Sequence, residues 1–166
     1  MAKQDKTEIR VAVPDDRDAI YRLVATAYGR SDEAELVYRL RAYNDIVLEL
    51  VSVGGLVNGH IAFSRLHVEP QTMRLAGLQP LSVMPGLQGN GVGSALVREG
   101  LTRCAAMGFD AVAVLGDPTY YKSFGFSRKA ARALTCVYSG LAYQALELRP
   151  GALAGAWQVK YPRAFD

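Results

Sequence analysis

The chain is poor in the groups from which metal sites and disulfide frameworks are built. It has two cysteines, Cys104 and Cys136, and two histidines, His60 and His67, with no Cys-x-x-Cys and no His partner at metal-ligand spacing. No metal is expected, and two isolated thiols suit a reducing cytoplasm. Runs of like charge are missing too, and a net charge of +3 gives no support to nucleic-acid binding. Residues 75–97 carry no charge at all and are long enough to imitate a membrane span. Two prolines and five glycines inside that stretch argue against a spanning helix. The opening Met1-Ala2-Lys3-Gln4-Asp5-Lys6 lacks the apolar core of a signal peptide, so a soluble protein without a membrane partner is expected.

What is present reads as one globular domain. Half of the 166 residues are hydrophobic and 21% are charged, enough to bury a core within a single unit, residues 1–166. Acidic residues gather early (Asp15, Asp16, Asp18, Asp32, Glu33, Glu35) and basic ones late (Arg98, Arg103, Lys122, Arg128, Lys129, Arg132). That tilt favours an anionic ligand over the C-terminal half.

Periodicity gives the element order. Residues 9–13 alternate as a first strand, and Asp15 or Asp16 stands ready to cap a helix whose apolar stripe is Ile20, Leu23, Val24, Ala27 and Tyr28. Gly29 ends it, and Ser31 is a second N-cap ahead of Leu36, Val37 and Leu40. Residues 46–53 and 56–68 form a hairpin about Gly54-Gly55. His60 and His67, odd-spaced, fall on opposite faces of its second strand. Residues 76–84 return as a strand interrupted by Pro80, which a regular central strand does not tolerate. A bulge or unpaired edge is expected there, leaving amides near Leu81, Ser82 and Val83 free for a ligand. A helix to about Met107 follows, with Cys104 on its buried stripe, and then an unbroken apolar strand to Leu115. Asp117-Pro118 opens a short helix, strands at 134–138 and 143–148 close the domain, and 158–161 is a possible last strand.

Between strand and helix lies the most informative stretch, Pro85-Gly86-Leu87-Gln88-Gly89-Asn90-Gly91-Val92-Gly93-Ser94. Glycines let backbone amides approach a ligand closely, and the following helix adds unpaired amides and a positive dipole end. Phosphate or pyrophosphate suits such a site. A Walker loop is excluded because Val92 stands where its lysine belongs, and a dinucleotide fingerprint because Ser94 takes the third glycine's place. Without further context, the glycines also fit a tight strand-to-helix turn and nothing more.

The spacing Gln88-x-x-Gly91-x-Gly93 resembles the acetyl-CoA loop of the Gcn5-related N-acetyltransferases (GNAT). Tyr121-Lys122-Ser123-Phe124-Gly125-Phe126 is similar to that family's Tyr-x-x-x-Gly-Phe ending. The order βααβββαβαββ looks like its fold, an α/β (α+β) arrangement of a central mixed, mostly antiparallel sheet flanked by helices. Leu115-Gly116-Asp117-Pro118-Thr119-Tyr120-Tyr121 and Ala145-Leu146-Glu147-Leu148 resemble the YhbS-like bacterial subgroup, closely across 75–166. The resemblance implies an acyltransferase that moves the acetyl group of acetyl-CoA to a primary amine by direct attack through a tetrahedral intermediate, in a monomer or homodimer.

It further implies that the amide of Val83 holds the oxyanion and that Tyr121 is the general acid for the thiolate. Cofactor contacts would come from Leu81, Ser82, Val83, Gln88, Gly89, Asn90, Gly91, Val92, Gly93, Ser94, Asp117 and Tyr121. Many relatives place a Glu on the fourth strand as base, and residues 76–83 contain no acid. His67, Glu33 or a water held near Ser64 are candidates, and solvent would serve an amine of low pKa. The missing acid is the one feature that favours a non-catalytic acyl-CoA-binding or regulatory module. Transfer of a longer acyl group is a further alternative.

Overall fold

The structure, a computed structural model, describes residues 7–166; the Met1–Lys6 opening considered above for a signal peptide lies outside the described residues. In chain order the elements are β1 (Glu8–Val11), α1 (Arg17–Tyr28), α2 (Asp32–Ala42), β2 (Ile46–Gly54), β3 (Leu56–Glu69) and β4 (Leu75–Val83). There follow α3 (Val92–Ala106), β5 (Ala111–Leu115), α4 (Pro118–Lys122), α5 (Arg128–Ala131), β6 (Leu134–Thr135), β7 (Tyr143–Glu147) and β8 (Trp157–Lys160). The main sheet runs β1-β2-β3-β4-β5-β7, antiparallel throughout except for the parallel pair β4–β5. This is the mixed, mostly antiparallel sheet expected from the sequence.

Strand alternation divides the sheet into two faces. Leu48, Leu50, Ile61 and Phe63 pack with Leu96, Val97 and Cys104 of α3. On the other face, Val51 of β2 packs with Ile20 and Val24 of α1 and with Ala34 and Val37 of α2. The two-residue period puts Glu49, His60 and Ser82 on this second face. Close approach of α3 depends on Gly100, where an added Cβ would collide with the Phe63 ring. Cys104 is fully buried, and burial pushes its thiol up to about 12, so it packs and does not react.

The feature that makes a site is in β4. Phe63 pairs with Leu78 and Ile61 with Leu81, so Gln79 and Pro80 together oppose Ala62: the bulge that Pro80 foretold. Pairing with β5 stops at Leu78–Val114, and beyond it the parallel strands part.

Several boundaries differ from the sequence reading. The first strand ends at Val11, because Val13 turns its amide to Asp16 instead of the sheet. Asp16 does not cap α1; its carboxylate is taken by Arg10 at 2.7 and 2.9 Å. Ser31 stands at the N-cap of α2 without a side-chain cap bond. The strand expected at 134–138 shrinks to Leu134–Thr135, and α5, a single turn capped by Ser127, precedes it. The last strand forms one residue earlier, at Trp157–Lys160, pairing with the far end of β3 at His67–Glu69 and with β6.

Candidate active site

Where β4 and β5 part, the backbone of β4 is left with groups to offer. Met84 N–H donates to the Asn58 carbonyl at 2.8 Å, so the two-residue alternation turns Ser82 toward β3 as well. Leu81 and Val83 therefore direct their N–H and C=O groups into the gap. Both carbonyls are met by side chains: Gln88 Nε2 donates to Val83 at 3.2 Å, and the Tyr28 hydroxyl to Leu81 at 3.3 Å. Their amides remain directed at the gap.

The glycine loop closes one end of this gap. Gly89 and Gly91 have φ of +80° and +86°, a region that L side chains adopt at a cost of roughly 1–2 kcal/mol. Gly91 is the N-cap of α3, so the first amides of a 15-residue helix face the loop. Asn90 Nδ2 donates back to the carbonyls of Leu87 and Gln88 at 3.2 and 3.4 Å and so braces the loop from within. A cavity of about 500 Å³ lies against these elements; Leu81, Val83, Gln88, Gly89, Gly91 and Ser94 line it. It ends at Gly93 and Tyr120, and a Cβ at Gly93 would stand 3.1 Å from the Tyr120 hydroxyl.

The remaining expected residues have other surroundings. Ser82 is buried on the α1 side of the sheet, and Val92 packs against the core from the first turn of α3. Asp117 caps α4, accepting from Thr119 N–H at 3.0 Å. Tyr121 is buried, edge-on to Phe126 at 5.7 Å and to Tyr120 at 5.0 Å, and flush against Gly116. Burial pushes its phenol well above the ordinary tyrosine value, with Tyr28 and Tyr120 adding to the rise. Tyr28, which is 40% exposed, is raised first by partial shielding of its hydroxyl from water and then by the charge of Glu33. Tyr28 and Tyr120 border this gap and cavity, and the sequence reading gave neither a role in the site. Tyr28 reads as one more apolar position of an amphipathic stripe, and Tyr120 is masked by its neighbour in the motif.

The candidate bases separate clearly. His67 lies six residues beyond Ile61 on β3, about 20 Å away along the strand, and pairs with Glu69 at 2.8 Å. Glu33 accepts from Arg30, whose hydrogen bond holds the carboxyl below its ordinary value against the opposing effect of burial. Ser64 is buried, with no hydrogen-bond partner for its hydroxyl among the described residues. His60 is also fully buried: its Nε2 lies 2.9 Å from Glu49 Oε1, which accepts from Arg41 at 2.6 Å as well. Burial works to raise the Glu49 carboxyl, but His60 and Arg41 outweigh it and hold the group below its usual range.

A family model described as an acetyltransferase (GNAT) domain matches residues 8–128. The uncharacterized N-acetyltransferase YhbS of Escherichia coli strain K12 is 36% identical over 151 residues, 89% of this chain and 90% of YhbS. Among solved structures, E. coli YhbS in complex with CoA matches with a TM-score of 0.90 at 35% identity, over 96% of this chain and 92% of that one. A GNAT family acetyltransferase from Brucella melitensis, in complex with acetyl-CoA, matches with a TM-score of 0.84 at 33% identity, over 98% and 99% of the two chains.

Proposed function

The chain belongs to the GNAT acetyltransferase family, and from that premise we propose that it moves the acetyl group of acetyl-CoA to a primary amine, with the reacting carbonyl seated in the gap between β4 and β5. The observation that carries this reading is the pair of amides, Leu81 and Val83, turned into a gap that adjoins the glycine loop and the N-terminus of α3. Acetyl-CoA brings a thioester and a pyrophosphate, and the chain has a feature suited to each. The helix N-terminus and the amides of Gly89, Asn90, Gly91, Val92, Gly93 and Ser94 suit the pyrophosphate. An amide of β4, that of Val83, suits the charge that builds on the carbonyl oxygen as the amine attacks.

Tyr121 is the proposed proton donor to the departing sulfur. A phenol held above its ordinary pKa stays protonated across neutral pH, as a donor must. Tyr120, whose hydroxyl stands over Gly93 at the cavity wall, is the rival for that role on position alone. Tyr28 approaches the same gap from α1, where the acceptor amine would enter beside Leu81. Asp117 serves by capping the turn that presents Tyr120 and Tyr121.

Thermal unfolding in parallel with acetyl-CoA, CoA and ATP tests the reading first. Ligand at a hundred times its dissociation constant adds about 2.7 kcal/mol to the folded state. Stabilisation by both CoA species but not by ATP is expected, followed by CoA thiol release with members of an amine library. Absence of any shift with acetyl-CoA and CoA would overturn the assignment of the loop.

A further inference from the structure

No acid lies on β4 to take the proton that the amine must lose, yet a buried polar row begins at that strand. His60 and Ser82 are directly opposed in the β3–β4 register and are 0% and 2% exposed. His60 Nδ1 and Ser82 Oγ both lack a hydrogen-bond partner among the described residues. Buried polar atoms are ordinarily satisfied, so two orphans on opposed residues need a reason. Opposed side chains have Cβ atoms about 5 Å apart, a span that rotation of the serine hydroxyl or one bridging water closes. Ser82 stands between Leu81 and Val83 with its side chain on the α1 face, the face from which the Tyr28 hydroxyl reaches the Leu81 carbonyl.

The other side of the ring settles which nitrogen is free. Glu49, paired with Arg41 at 2.6 Å, is held as a carboxylate and can only accept, so His60 Nε2 must donate to it. In the neutral ring, Nδ1 is then bare, on a residue whose register partner on β4 is Ser82, with a fixed anion at the other nitrogen to balance a gained proton. Among the described residues, the charged group that meets His60 is Glu49 from β2, which is itself paired with Arg41 from α2. The β4 strand presents Ser82; α1 presents the apolar Ile20 and Val24 around Val51, and Tyr28 at the gap.

We infer that His60 is the internal proton acceptor of the acetyl-transfer site, receiving on Nδ1 the proton of the acceptor amine by way of the Ser82 hydroxyl. The inference rests on the acetyltransferase reading above. One proton of the ammonium form of the amine passes to Ser82 Oγ before the neutral nitrogen forms its bond to the acetyl carbon. The serine's own proton passes to His60 Nδ1, giving an imidazolium paired with Glu49. The carbon–sulfur bond breaks with its electron pair on sulfur, which takes a proton from Tyr121. The proton that the newly bonded nitrogen sheds returns to the Tyr121 phenolate, and exchange through solvent resets His60. His60 and Ser82 thus act by holding and passing a proton, while neither need touch the thioester.

The test pairs a kinetic comparison with a spectroscopic one. With acetyl-CoA and an amine that is mostly protonated at neutral pH, His60→Gln is expected to lower kcat by roughly 10²-fold or more, with KM for acetyl-CoA within about twofold. Ser82→Ala, which leaves the Glu49 contact whole, should lower kcat in the same direction. A low-pKa acceptor such as a hydrazide should lose much less in both variants. Equal losses for the two kinds of amine, or unchanged kcat in both variants, would overturn the inference. Nitrogen NMR of histidine-labelled protein, assigned by loss of one of two rings, reads the tautomer without any acceptor. A neutral His60 protonated on Nε2 is expected; a proton on Nδ1, or a ring doubly protonated across the range of catalysis, would refute the proposal. Failure of wild-type protein to bind acetyl-CoA would instead strike the acetyltransferase reading, and the tautomer measurement would still decide the placement of the proton.

Discussion

Gln88 Nε2 donates to the carbonyl of Val83 at 3.2 Å, so the side chain that opens the glycine loop is tied to the strand residue whose amide faces the gap. Loop and strand are thereby held as one unit. The bond spans five residues and is exposed, so it contributes little to global folding. Gln88→Ala should leave the melting temperature nearly unchanged. It should weaken acetyl-CoA binding by about 1 kcal/mol, roughly fivefold, as measured by calorimetric titration. An unchanged dissociation constant would mean that the loop holds its shape without this tie.

A second prediction concerns how α3 reaches the sheet. Phe63 is fully buried, and the space next to its ring exists because residue 100 has no Cβ. Alanine in a helix interior normally gains close to 1 kcal/mol over glycine. Here overpacking opposes that gain, and Gly100→Ala should be destabilising by about 1–3 kcal/mol in denaturant titration. Phe63→Leu in the same chain should recover part of the loss, with a favourable coupling of at least 0.5 kcal/mol in the double-mutant cycle.

Much of this architecture was legible because local signals agreed with one another. Pro80 in an apolar strand announced the bulge, and the glycines at 89 and 91 announced the turn into α3. The polar row was not legible, because it is made by register. Glu49, His60 and Ser82 come from three strands and meet only once each strand's pairing is known. Asp16 misled for a similar reason: it reads as a helix cap, but Arg10 lies across the turn and claims its carboxylate. The late strands were overdrawn because a short β6 and the single turn of α5 leave no periodic pattern.

That Asp16 contact gives a prediction in pH. Its carboxyl is held below the ordinary aspartate value, first by the Arg10 hydrogen bonds and then, against burial, by the Val13 amide. A depressed pKa contributes stability above the unfolded value, about 3.9, and loses it as pH falls through the folded one. Asp16→Asn should therefore be less stable than wild type at pH 7 by about 1–2 kcal/mol in chemical denaturation. The difference should shrink as pH drops below about 4. A constant difference across that range would mean that packing, and not charge, carries the contact.

Tyr121 and Tyr120 offer the sharpest test of the proposed chemistry, because they are neighbours in sequence with different surroundings. Tyr121 is buried against Gly116 and Phe126, and its hydroxyl feels Tyr28 and Tyr120. Tyr120 lines the loop cavity, with its hydroxyl over Gly93. Removal of the phenolic oxygen alone preserves ring packing in both cases. Tyr121→Phe should lower kcat by roughly 10²-fold or more while leaving acetyl-CoA affinity within about twofold, as expected for loss of a general acid. Tyr120→Phe should instead move acetyl-CoA affinity and spare kcat. The raised pKa of Tyr121 adds a sign: the wild-type phenol stays protonated past the ordinary tyrosine value, so kcat should not fall as pH approaches about 10. If the two variants exchange these signatures, the proton donor is Tyr120 and the buried ring of Tyr121 serves to hold it in place.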